Sequence, residues 1–191
     1  MSTVALDQEQ VPGINWNNLW WVAASVAVLV AVIAINEFWY LNFVHVAAGL
    51  LWTGIDLFMG FVIGPIMRTL SLEARRAMII RLMPRMLFIM PTVSTITTTA
   101  GWFLAEMRGY TEAPMSWWVI AALIIVTVLT IQGLGILLPA NIRVYLQMRS
   151  DNPDMELVGR LMRRYVRVVA SQGVMQIAII VIMTRFVAGG I

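Results

Sequence analysis

The stretch Leu19–Ile35, LWWVAASVAVLVAVIAI, contains no ionisable side chain and decides the class of fold. A hydrocarbon layer about 30 Å thick is crossed by roughly 20 apolar residues in a helix. Asn17 and Asn18 precede the run, Asn36 and Glu37 follow it, and Trp20 and Trp21 stand where interfacial aromatics belong. It reads as a first transmembrane helix. The first charges before it are Asp7 and Glu9, so it lacks the basic leader of a secretory signal and is expected to be retained.

Four further apolar stretches follow, and together they predict an all-α integral membrane protein with five transmembrane helices. The spans are expected at about 19–35, 38–67, 84–105, 116–138 and 165–188, in a single transmembrane domain over 14–191 behind an N-terminal tail over 1–13. Pro84 is expected in a first helical turn, where proline is tolerated. The fourth helix is expected to continue past Pro139 as a surface helix. Trp117 and Trp118 form a second aromatic pair at a span end.

Composition supports a lipid solvent. Hydrophobic residues make up 60% of the 191 and charged residues 12%, against roughly 25% charged in an average soluble domain. The net charge of +3 does not indicate nucleic acid, because every cation is arginine and the arginines border the apolar runs. Arg68, Arg75, Arg76, Arg81 and Arg85 lie between spans two and three. Arg143, Arg149, Arg160, Arg163, Arg164 and Arg167 lie between spans four and five, leaving only Arg108 and Arg185 for the other side. The positive-inside rule then places the N-terminus in the cytoplasm and the C-terminus outside. The lack of lysine points to a GC-rich prokaryotic source, and so to a prokaryotic plasma (inner) membrane.

The two arginine-rich turns resemble each other. Gly64-Pro65-Ile66-Met67-Arg68 leads to Arg81-Leu82-Met83-Pro84-Arg85, and Leu138-Pro139-Ala140-Asn141-Ile142-Arg143 leads to Arg160-Leu161-Met162-Arg163-Arg164. Spans two–three and four–five are therefore read as parallel hairpin repeats forming a four-helix core, with the first helix peripheral. The alternative is that membrane hairpins commonly carry proline and arginine at their cytoplasmic ends.

Ionisable groups inside a bilayer cost several kcal/mol and point to function. His45 and Asp56 fall inside an apolar run, and at about 100° per residue they lie within about 20° of each other around the helix. Gly49 and Trp52 share that stripe, which Gly60 and Gly64 extend. The two are about 16 Å apart along the axis, so they form one pathway or two separate sites. The competing structural readings are a hydrogen-bonded histidine, an aspartate bonded to a hydroxyl of span three, and glycines that allow close packing. Span three supplies Thr92, Ser94, Thr95, Thr97, Thr98 and Thr99 after Pro91. Gln132, Gln172 and Gln176 on spans four and five would enlarge a polar cavity, or act as glue between helices. Among fourteen methionines, Met107, Met115 and Met183 fall on the same side as His45 and are candidate soft metal ligands, while most fill core. With one histidine and no cysteine, a nucleophilic triad of the usual kind, a His-rich zinc site and an iron–sulfur cluster are excluded.

The run His45-Val-Ala-Ala-Gly49-Leu-Leu-Trp52-Thr-Gly54, with Arg75-Arg76 leading to Arg81-Leu82-Met83-Pro84, resembles the copper-resistance D-like membrane proteins. It is also similar to the urate oxidase membrane domain and the HemJ-type protoporphyrinogen oxidases. The resemblance covers roughly residues 38–105. It implies a helical bundle in which His45 is the motif histidine, with Gly49 and Trp52 beside it, and b-type haem binding or copper handling. This chain departs from the pattern in having no second histidine and no lysine. A shift of 74 residues, from Pro65 to Pro139, sets Val119 opposite His45 and Thr130 opposite Asp56, so the second repeat carries no copy of the site.

Three functions are therefore expected to compete. One is a haem- or copper-associated membrane protein with His45 as ligand. The second is a non-catalytic subunit of a larger membrane complex, with other membrane subunits or a homo-oligomer as partners beside the lipid bilayer. The third is a small transporter or proton pathway using Asp56.

Overall fold

The computed structural model describes residues 13–189, and among them every regular element is helical. The tail expected over 1–13 falls outside this range except for Gly13. Five stretches are long and apolar enough to cross a membrane: Trp16–Ile35, Phe38–Thr69, Leu72–Met107, Trp117–Arg149 and Met155–Val187. The all-α membrane bundle read from the sequence is the fold.

Helix α1, Leu19–Ile35, ends because Asn36 adopts a left-handed conformation with φ 54°, and its N–H caps the carbonyls of Val32 and Ile33. Helix α2, Phe38–Phe58, starts two residues later, so the chain reverses in a very tight turn. The helix then widens into a π segment, Met59–Ile63, before α3, Gly64–Thr69, which carries Pro65 in its first turn. Proline has no N–H for the carbonyl four residues back, and its ring crowds that carbonyl. A π turn relieves both problems without ending the helix. Helix α5, Trp117–Gln132, repeats the arrangement with a π segment at Gly133–Leu137 and Pro139 opening α6, Leu138–Arg149. The π segments begin at Met59 and Gly133, separated by the same 74 residues as the two prolines. The likeness of the two hairpins thus extends from sequence to backbone.

Two long helices complete the hairpins: α4, Leu72–Met107, and α7, Met155–Val187. Each begins at a side-chain cap, with Ser71 Oγ accepting from the Ala74 N–H and Asp154 Oδ1 from the Leu157 N–H. These caps set both starts about ten residues before the apolar windows expected at 84 and 165. Pro84 consequently lies inside α4 instead of opening it. The surface helix expected after Pro139 is also corrected. Ala140, Val144, Tyr145 and Met148 of α6 are buried, because their spacing faces one side into the bundle.

The core has three parts. Ile79, Ile80 and Met83 of α4 pack with Val144, Tyr145 and Met148 of α6 and with Val158 of α7 at the arginine-rich end. Arg76 joins the two turns there, donating from Nε to the Met148 carbonyl (2.8 Å) and from Nη2 to the Ser150 carbonyl (3.0 Å). Arg75 donates to the carbonyls of Met67, Arg68 and Leu70, closing the end of α3. At the far end, Leu29 and Val32 of α1 meet Leu41, Ala48, Ile96 and Ala100. They are the only buried residues of α1, which lies against α2 and α4 at the edge of the bundle. Trp52, Val93 and Leu129 fill the middle. Outward-facing positions such as Val30, Leu50, Ile131 and Val174 stay exposed and apolar. The two arginines of the far end, Arg108 and Arg185, lie over the rings of Phe38 and Trp118.

Candidate functional site

His45 and Asp56 share α2 but meet different neighbours. The His45 ring packs on α4, where Nδ1 lies 2.9 Å from the Thr97 carbonyl oxygen. A methyl group at Gly101 would stand 2.8 Å from His45 Cε1, so that glycine makes room for the imidazole. One turn along, the positions exchange roles: a methyl group at Gly49 would lie 3.3 Å from Thr97 Cγ2. His45 fits over Gly101 and Thr97 over Gly49, which locks the register of α2 against α4. Gly49 and Gly101 therefore act through close packing. Neither the Thr97 carbonyl nor Gly101 was legible as a partner of His45, since both become neighbours only through that register.

Asp56 is buried and turns toward α7, where its Oδ2 accepts a 2.7 Å hydrogen bond from Gln176 Nε2. The indole of Trp52, one turn earlier, is a second hydrogen-bonding neighbour. The expected hydroxyl partner on span three is replaced by a carboxamide of span five. No cation pairs with this carboxylate among the described residues. Gln176 Oε1 is buried with no hydrogen-bond partner among them. Asp56 lies at the wall of a cavity of about 260 Å³. The cavity is lined by hydroxyl-bearing residues of α4, by Thr130 of α5, and by Asn141, Tyr165 and Gln172.

The hydroxyls of span three divide into two groups. Thr92, Ser94 and Thr97 donate to carbonyls of their own helix (Phe88, Pro91 and Val93). Thr95, Thr98 and Thr99 line the cavity and are uncommitted among the described residues. Tyr165 is bonded to Asn141 at the arginine-rich end of the cavity. Gln172 donates to the Leu129 carbonyl at 3.2 Å, and Gln132 donates to Ser171 at 3.1 Å outside the cavity lining. Of the polar residues expected to form a cavity, Ser94, Thr95, Thr98, Thr99 and Gln172 line it. Gln176 holds Asp56, and Gln132 bridges α5 to α7.

His45 and Asp56 thus form two separate sites. The stripe turns from α4, which His45 and Gly49 face, to α7, which Asp56 and Gly60 face. Gly60 faces Val169 of α7, and Gly64 faces the Met59 carbonyl of its own helix. The residues set opposite by the 74-residue shift are a buried Val119 and a Thr130 that lines the same cavity as Asp56.

The ligand fit differs by metal. No group of three His, Asp or Glu side chains converges among the described residues. Met107 is exposed at the end of α4, about 9 Å along the axis from Gly101, which is level with His45. Met115 lies in the loop before α5 and Met183 on α7. A His45–Met107 copper pair does not fit this placement. A single axial bond from His45 to haem meets one requirement. An Nδ1–H bonded to a backbone carbonyl fixes the tautomer that leaves Nε2 able to ligate.

Compared with protein-family models, curated proteins and solved structures, the chain matches none.

Proposed function

We propose that this is a small membrane transporter or proton-transfer protein working through the Asp56 cavity. The observation carrying this reading is the buried Asp56–Gln176 pair beside uncommitted hydroxyls. Its depth supports the reading. Gln176 lies midway between Arg167 and Arg185, and Thr95 close to midway between Arg85 and Glu106. Charged residues bracket the hydrocarbon on both helices, so the pair belongs near the bilayer centre. A carboxylate there costs several kcal/mol, and no cation among the described residues offsets that cost, which favours a positively charged partner or a proton brought to it. A carboxamide suits exchange of a proton or cation. Its N–H₂ donates to a carboxylate, and after rotation its oxygen accepts from a carboxylic acid. The pair keeps its hydrogen bond in either state.

The arginine-rich end faces the cytoplasm of a prokaryotic plasma membrane in this reading, with the N-terminus inside and the C-terminus outside. Proteoliposomes carrying a pH-sensitive dye test the function. Acid-driven flux is expected from the wild type and a loss of at least tenfold from Asp56→Asn. Equal flux in both would refute the reading.

The Nδ1 contact of His45 favours a second reading, haem association through the free Nε2. His45 would hold such a haem, which would supply redox chemistry when bound. A Soret band lost in His45→Ala supports that reading; purified protein without one counts against it.

A further inference from the structure

The Asp56 cavity has an open side that faces neither end of the bundle. Helix α4 packs on α1, α2 and α6, whereas α5 packs on α7; α4 and α5 belong to one core cluster through Val93 and Leu129, but their backbones make few close approaches. The cavity reaches the surface in that gap. Thr95 on α4 and Thr130 on α5 are both exposed while lining it, and so is Leu134. Thr95 is close to midway between the charges bracketing α4, so the opening faces the middle of the hydrocarbon.

We infer that the cavity takes a small lipophilic amine, bound as its ammonium form and entering sideways from the bilayer between α4 and α5. This rests on the proposed role of Asp56 and names the class of its ligand. Three features of the site select that class. The carboxylate lacks a cation partner among the described residues, and an ammonium group brings both the charge and N–H donors. Uncommitted hydroxyl oxygens of Thr95, Thr98 and Thr99 accept further N–H groups. Beside Asn141, Tyr165 and Gln172 the wall carries apolar side chains, with Met86, Met90, Leu137 and Leu138 able to cover a hydrocarbon tail. A hydrated inorganic cation has no route through hydrocarbon to this opening, whereas a neutral amine crosses lipid and takes the proton of the Asp56 carboxylic acid on arrival, leaving a carboxylate–ammonium pair. The volume of about 260 Å³ falls below the roughly 300–1,000 Å³ of drug-sized sites, so the tail is short.

Radiolabelled n-hexylamine binding to the full chain in lipid nanodiscs, read against empty nanodiscs, tests the inference. Saturable binding is expected, with at least a tenfold loss of affinity in Asp56→Asn and retention in Asp56→Glu. Unlabelled n-hexanol and hexanoate at equal concentration should not compete. Thr95→Trp places an indole in the opening and should slow or abolish binding, provided gel filtration and helical circular dichroism match the wild type. Absence of saturable binding, binding unchanged in Asp56→Asn, or binding unchanged in a folded Thr95→Trp overturns the inference. Asp56-dependent proton flux without hexylamine binding overturns it too, and leaves the proposed function standing.

Discussion

At the residue scale, the α2–α4 contact turns on two glycines that do opposite jobs for one another's helix. Gly101 accommodates the imidazole of His45, and Gly49 accommodates the methyl of Thr97. In hydrocarbon, helices associate through such close packing and not through expulsion of water. Gly101→Ala would place a methyl 2.8 Å from the ring and should destabilise the bundle by about 1–3 kcal/mol through overpacking. His45→Ala should relieve most of that penalty, because it removes the clashing ring. Detergent unfolding of the two single variants and the double variant would reveal the coupling; additive effects would show that the ring and Gly101 do not meet. The sequence marked His45 and Asp56 as costly residues, and both are engaged in the fold. Their partners were hidden. Gln176 lies 120 residues from Asp56, and only the packing of α7 on α2 makes them neighbours.

At the element scale, the decisive features are the helix starts and the two π segments. Apolar runs locate hydrocarbon, but a helix continues as far as its caps allow, so Ser71 and Asp154 set boundaries that hydropathy misses. Both residues are recognisable cap types, and the signal was present but subordinate to the apolar windows. The π segments were legible only indirectly, through the matched prolines at 65 and 139. Their widened turns are a property of the backbone around proline, not of a residue pattern. The arginines of the turns were read as topogenic charges, yet Arg76 also holds α6 to α4. Arg76→Ala removes two charge-assisted bonds to carbonyls and should cost about 1.5–3 kcal/mol, less whatever water restores at this interfacial site. Arg76→Lys should recover only part of this, since an ammonium lacks the two-pronged geometry. Thermal unfolding in detergent reads both, and equal stability of Arg76→Ala and wild type would remove Arg76 from the account.

At the scale of the whole molecule, the sequence was most readable, because a continuous apolar run of about 20 residues satisfies its backbone in hydrocarbon only as a helix. Five long apolar helices, an edge helix α1 and two alike hairpins follow from apolar length, charge placement and a repeated Gly/Leu-Pro turn. The cavity between the hairpins did not follow, since it arises where the backbones of α4 and α5 make few close approaches. Orientation can be read directly because the chain has no cysteine. In intact cells, Glu112→Cys should react with an impermeant maleimide and Asn152→Cys should not. The reverse pattern would invert the topology.

The central claim is a carboxyl group at Asp56, near the bilayer centre and reachable from lipid. Dicyclohexylcarbodiimide partitions into hydrocarbon and modifies carboxyl groups there, whereas a water-soluble carbodiimide does not enter. Peptide mass spectrometry after treating membranes should find the hydrophobic reagent on Asp56, reduced by n-hexylamine and by Thr95→Trp. The soluble reagent should leave Asp56 unmodified. An Asp56 untouched by dicyclohexylcarbodiimide, or labelled equally by both reagents, would contradict the account.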